Sequence, residues 1–337
     1  MPRGFETLAE HLSLAGYHTG AIANHIFLGR RYQLDQGYAD YDDELALLFT
    51  EREASHVAVT SEIVTDKALD WLEEQASAPT PWHLWLHYFD PHHRYQPHPE
   101  LPTDFGQATP EDLYDGEIAY TDQHLGRLFD YLDQTGLFEN TVIDIVSDHG
   151  EEFQDHGGVF HRRTLYEEVL RVPLIIKVPG LPSGRVSTSV SLVDVAPTLL
   201  ELAGLAASNE HDGTSLVPAL RGESMPPRAH GAHLIEPKIK LEALIHGNWK
   251  LIRYRRQDRT LLFNLASDPG ERTDLAPTQG RLVSSMLRAM AELRNAPSSQ
   301  VGTDRDEAPI PLNSADLSAL ESLGYGGEDE EDKKDDN

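Results

Sequence analysis

The 337-residue chain has no cysteine, which excludes a disulfide framework, a thiolate metal site and a cysteine nucleophile among these residues. It has no apolar run of the roughly 18–20 residues that a membrane-spanning helix needs. Basic residues are scarce: 28 Lys and Arg stand against 56 Asp and Glu, a formal net charge of −28. A phosphate backbone is held by basic stripes and none is visible, so nucleic acid is excluded as a partner. The opening residues, MPRGFETLAEHL, lack the basic start and apolar stretch of an export signal, and no compartment is assigned. The acidity favours solubility and sets a condition. An anionic substrate can bind only where local cations outweigh the field of the whole chain.

What is present is the composition of an ordinary globular protein, 39% hydrophobic and 8% aromatic, at a length that suggests about two domains. Apolar residues at helical spacing (Val57, Val64, Ala68, Trp71, Leu72) predict a helix over 57–74. WHLWLHYF (82–89) predicts a buried strand that runs into the polar loop DPHHRYQPHPE. Ile118, Thr121, Leu125, Leu128 and Leu132 predict a second helix, stopped by Gly136. Then follow a strand at 141–147, a histidine-rich loop, a short helix at 164–170, a strand at 172–178 and a helix at 192–204. Helices alternating with short apolar strands predict an α/β fold, a central mostly parallel sheet flanked by helices, over 1–205. Beyond about residue 206, EALIHGNWKLIRYRR and RTLLFNL read as paired strands and 280–294 as an amphipathic helix. This gives a small α+β C-terminal subdomain over 206–315, and the charged run at 316–337 reads as an acidic disordered tail.

The chemistry gathers in one quarter of the chain. Nine of the 17 histidines lie between residues 83 and 161, and the densest stretch is IVSDHGEEFQDHGGVFH (145–161). Asp148 and His149 end an apolar strand and precede Gly150, so a carboxylate oxygen and an imidazole nitrogen can meet a divalent cation. A turn cap is the plainer role for Asp148, and Glu151, Glu152 and Asp155 read as a solvated face. His156 and His161 have a zinc-like spacing, but the intervening GGVF is no helical metal motif. No G-x-S-x-G elbow supports a serine hydrolase, and no acid pair stands out for a glycosidase. Open α/β sheets bind ligands at the carboxyl ends of their strands, so the loops after 82–89 and 141–147 are expected on one edge of one sheet.

TLAEHLSLAGYHTGAIANHIFLG, LWLHYFDPHHRY, ENTVIDIVSDHGEEFQDHG, HRRTLYEEVLRVPLIIKVPG, LVDVAPTLLELAGL, DGTSLVPAL and HGNWKLIRY…LFNLASDPGERTDLA follow one another over residues 7–276. In kind and order these blocks resemble the sulfatases of the alkaline-phosphatase superfamily, metal-dependent hydrolases of sulfate and phosphate esters. The resemblance implies that Asp148 and His149 are the late metal pair and that His92 contacts the sulfate or the nucleophile. It also implies that His161 neutralises the ester oxygens and assists the leaving group. A divalent cation is implied, Ca2+ first, with Mn2+ or Zn2+ as the alternatives. The implied substrate is a small-molecule or saccharide sulfate ester.

The chain also departs from the family. Sulfatases carry an Asp-Asp strand and a C-x-P-S-R or S-x-P-S-R motif ahead of the TLAE block, whose first residue becomes the formylglycine nucleophile. Only six residues precede that block here, no Pro-Ser-Arg occurs, and Asn24 stands where a lysine is common. The expectation is a sulfatase-type hydrolase lacking its nucleophile and half of its metal site, and inactive alone. A phosphodiesterase or phosphonate monoester hydrolase of the same superfamily is the runner-up, because an imidazole ligand favours Mn2+ or Zn2+ over Ca2+. The rival from another class is a non-catalytic anion-binding protein.

Overall fold

The computed structural model describes residues 6–48, 59–75, 78, 80–92, 94–206 and 212–295. Their contacts divide into two compact units that part between Asn140 and Thr141. The change of texture at about residue 206 falls inside the second unit, and the acidic tail at 316–337 lies outside the described residues.

In the first unit, helix α1 (Leu8–Leu14) opens on a capping box in which Thr7 and Glu10 exchange side-chain-to-backbone hydrogen bonds. Strand β1 (His18–Ile22) pairs in parallel with β2 (Asp40–Asp42) on one side and β3 (Trp82–Leu86) on the other. Helices α2 (Glu44–Leu48) and α3 (Ser61–Gln75) separate β2 from β3. Ala21, Ala23 and Tyr41 form a core with Leu28, Leu34, Tyr38 and Trp85 packed against it.

The long helix α4 (Pro110–Gln134) begins well before its apolar period because Thr109 and Asp112 form a second capping box and Pro110 occupies the first turn. Its buried face is also shifted from the sequence reading. Glu117, Tyr120, His124, Leu128 and Leu132 are buried, whereas Ile118 is 43% exposed. Polar side chains hold half of the inward stripe, which is why hydrophobic spacing alone misplaced it.

In the second unit, β4 (Ile143–Val146) leads into a small hairpin of β5 (Glu152–Phe153) and β6 (Val159–Phe160). Helix α5 (Glu167–Leu170) and strand β7 (Leu174–Lys177) follow, β7 returning antiparallel to β4. Helices α6 (Val195–Leu202) and α7 (Val217–Leu220) lead to an antiparallel sheet of order β11-β10-β9-β8. Its strands are β8 (Ala229–Ile235), β9 (Lys240–His246), β10 (Trp249–Tyr254) and β11 (Arg259–Asn264). Alternation sends Leu244, Leu251 and Leu262 to one face, against Met286 and Met290 of helix α8 (Gly280–Asn295). Leu241, Ala243, Ile252, Leu261 and Phe263 take the other face, against Leu165 and Tyr166. Both faces are covered, so apolar side chains point both ways along the strands, with the fully buried Lys250 of β10 among them.

One expectation is corrected here. Among the described residues, β3 and β4 belong to different sheets, one in each unit, because β3 bonds only to β1 and β4 only to β7. Among the described residues the strands bearing the two histidine loops are therefore paired in separate sheets, not in the one sheet expected. Among the same residues no helix is long and apolar enough to cross a membrane.

Candidate active site

Three of the four sequence-predicted residues, Asp148, His149 and His161, fall in the second unit. Asp148 lies two residues beyond the end of β4 and its side chain is 82% exposed. Its Oδ1 accepts the His149 backbone N–H at 2.9 Å, so one oxygen braces the loop while Oδ2 lies 3.8 Å from His149 Nε2. The His149 Nδ1 lies 2.9 Å from the Gly150 carbonyl oxygen. A carbonyl only accepts, so Nδ1 is the donor in this contact; in the neutral ring that leaves the lone pair on Nε2, the tautomer a metal ligand needs. Gly150 is required for a reason other than access to a cation. Its N–H donates to Val169 O at 2.8 Å, and a Cβ there would lie 2.1 Å from Glu168 O.

The His161 ring stacks on His149 with centroids 4.0 Å apart. Its Nδ1 lies 3.0 Å from Glu151 Oε1, and both side chains are buried, at 7% and 4% exposure. Glu151 is therefore no solvated residue but the carboxylate that orients His161. Glu152 is buried too: it accepts from the Thr164 N–H and hydroxyl at 3.1 and 2.8 Å, and burial pushes its carboxyl up to about 7. Only Asp155 keeps the exposure expected of all three, at 44%.

His156 does not join His161. It stacks on Tyr166 at 3.7 Å, with Nδ1 2.6 Å from Glu168 Oε1 and Nε2 3.2 Å from the Glu271 carbonyl. Beneath that loop the fully buried Lys250 bonds Glu167 and Glu271, each at 2.9 Å. Burial raises the Glu271 carboxyl more than its lysine partner lowers it.

His92 belongs to the first unit, where its ring stacks on Phe89 with centroids 4.5 Å apart. Ile22 and Leu86 are register partners, so the parallel strands β1 and β3 end side by side. Beyond those ends lie Asn24, His25, His87 and Phe89, the His25 ring 5.2 Å from Phe89 and 6.4 Å from His87. Asn24 is wholly buried with neither amide atom hydrogen-bonded. This is where an open parallel sheet presents a ligand site. Sequence reasoning missed that His25 and His87, 62 positions apart, would meet. The signal available was two apolar stretches each followed within three residues by histidine; their equal register came only with the fold.

Against known proteins, the sulfatase profile matches residues 1–205, and the C-terminal profile of N-sulphoglucosamine sulphohydrolase matches 155–296. The first match covers well over half of the chain, and the chain belongs to the sulfatase family. Choline-sulfatase of Rhizobium meliloti is 34% identical over 188 residues, 54% of this chain and 36% of that protein. Human arylsulfatase K is 33% identical over 201 residues, 55% of this chain and 37% of that protein. These matches thus span little more than a third of the length of the curated relatives. Two solved structures share the fold at 20% identity. One is a protein bound to its substrate D-glucosamine-2-N,6-O-disulfate, with TM-score 0.68 over 92% of this chain and 85% of that one. The other is the phosphonate monoester hydrolase of Agrobacterium radiobacter, with TM-score 0.69 over 87% and 81%.

Proposed function

We propose that this chain serves a hydrolase that cleaves sulfate esters of small molecules or saccharides with the help of a divalent cation. The observation that supports this reading best is the pairing of Asp148 Oδ2 with His149 Nε2 at 3.8 Å, beside the stacked His161. The two atoms fit as members of one ligand set, and among the described residues no group of three or more ligating side chains gathers. A hard cation wants about six ligands, so these two are part of a larger set. A cation bound there, Ca2+ first with Mn2+ or Zn2+ as alternatives, supplies Lewis-acid stabilisation of charge on the ester oxygens.

His161 is assigned the leaving oxygen. Its Nδ1 is committed to Glu151, so a proton passed to that oxygen comes from Nε2. His92 is assigned to the sulfate group. The 337 residues include no cysteine and no Pro-Ser-Arg run, so turnover is expected only with polypeptide that supplies the nucleophile.

The test compares aryl sulfate turnover by the chain alone with turnover after joining it to a segment bearing Asp-Asp and C-x-P-S-R. Activity is expected only in the joined protein, and abolished by Asp148→Ala. There His161→Ala should slow substrates with poor leaving groups most, and His92→Ala should slow all alike. Activity of the joined protein that survives Asp148→Ala would overturn the site. A second reading, a phosphonate or phosphate ester hydrolase, draws on His149 as an imidazole ligand. It prevails if phenyl phosphonate esters outpace aryl sulfates. Sulfate binding without turnover in the joined protein would favour the anion-binding reading.

A further inference from the structure

The loop that carries His92 is held at both ends by one face of α4. Tyr114, Glu117 and Thr121 stand at steps of three and four on that helix, which places them in one stripe. Each meets the loop. The Tyr114 ring packs edge-on to the buried Tyr95 at 5.3 Å. Glu117 Oε1 accepts the Gln96 backbone N–H at 2.7 Å. Thr121 Oγ1 donates to the Asp90 carbonyl at 3.2 Å.

The near end is fixed a second time. The buried Asp90 carboxylate accepts the N–H groups of Thr60 and Ser61, at 3.0 and 2.7 Å, and the Ser61 hydroxyl at 2.6 Å. Those donors open α3, so the carboxylate caps that helix from a distant segment.

We propose that Glu117 and Thr121 are positioning residues: they clamp the two ends of the 90–96 loop so that His92 is presented in one orientation to the sulfate group. This rests on the sulfatase reading for what His92 contacts, but not for the clamp itself. Glu117 is 3% exposed, and its Oε2 is buried without a hydrogen-bond partner. A buried carboxyl with one acceptor bond and one orphaned oxygen is costly. What it gains is the Gln96 amide, at the point where the loop leaves the site.

The test uses the full chain, with Glu117→Ala, Glu117→Gln and Thr121→Val, read by amide exchange and by the His92 ring resonances. Glu117→Ala removes the acceptor, and the Gln96 amide should exchange about tenfold faster, the loss of one buried hydrogen bond. Amides in the middle of α3 should stay unchanged, and the His92 resonances should move. Glu117→Gln keeps a carbonyl acceptor and should restore both readouts. If Glu117→Ala fails to fold, Thr121→Val removes the α4 bond to the Asp90 carbonyl, leaves Asp90 held by Thr60 and Ser61, and should shift the His92 resonances without changing Gln96 exchange.

Unchanged Gln96 exchange in Glu117→Ala, or unchanged His92 resonances in Thr121→Val, would overturn the clamp. So would a failure of Gln to rescue. Titrating the wild-type chain with inorganic sulfate separates the two readings. A silent His92 ring there counts against the sulfatase role of His92 and leaves the exchange result to decide the clamp.

Discussion

The two histidine loops are held by opposite means. The 90–96 loop carries one buried carboxylate, Asp90, and takes the other, Glu117, from a helix that begins well beyond it. The 148–168 segment brings its own acids: Glu151 on His161, Glu152 on Thr164 and Glu168 on His156. It imports instead a cation, Lys250 of β10, which bonds Glu167. The difference shows that an acidic loop in a very acidic chain need not be a solvated face. Carboxylates turn inward wherever histidines, hydroxyls or backbone N–H groups receive them.

The sharpest way to break the contrast is to remove the imported cation. Lys250→Met leaves Glu271 buried without its partner and should cost about 3–5 kcal/mol in urea unfolding. A loss under about 1 kcal/mol would mean that the loop's own acids suffice.

Next comes the pH dependence of the imported acid. Burial raises Glu117 to about 8, with Asp90 adding to the rise and the Gln96 N–H opposing it. A carboxyl with a raised folded-state pKa binds its proton more tightly when folded. Its stabilisation is complete below the unfolded value near 4.5 and is lost as pH rises through about 8. Glu117→Gln, which does not ionise, should therefore flatten the stability profile between those limits by something on the order of 2–4 kcal/mol. Glu152, raised to about 7, gives the same sign over a narrower window, so Glu152→Gln should flatten less. A profile unchanged by Glu117→Gln would show that this carboxyl ionises as in water.

A smaller effect probes the hairpin. A Cβ on Gly158 would sit 1.6 Å from Glu152 Oε2, so Gly158→Ala must push that buried carboxylate aside, at about 1–3 kcal/mol. Restoring wild-type stability with Gly158→Ala/Glu152→Gln would contradict this, since the clash is steric. The least effect is expected at the α3–α4 ion pair of Asp66 and Arg127, with side chains 53% and 39% exposed. Asp66→Asn should change the unfolding midpoint by the equivalent of less than about 0.5 kcal/mol.

The sequence by itself determined the local elements and the family. The strands predicted at 141–147 and 82–89, the helix at 280–294 and the paired strands of the C-terminal part follow from period and turn residues, and they stand as Ile143–Val146, Trp82–Leu86, Gly280–Asn295 and the sheet from Lys240 onward. The ordered blocks carried the resemblance. Only the tertiary structure decided which polar side chains turn inward. Glu117 and His124 sit on the buried face of α4 in place of apolar residues, so the hydrophobic period ran off the true stripe. Glu151 reads as a loop acid until His161 folds back over it, and nothing in EALIHGNWKLIRYRR marks Lys250 as buried until Glu167 and Glu271 arrive from 83 and 21 positions away. Hydrophobic burial leaves a periodic mark because every apolar side chain seeks the same environment. A buried charge leaves none, because its place depends on one partner that only the folded chain brings near.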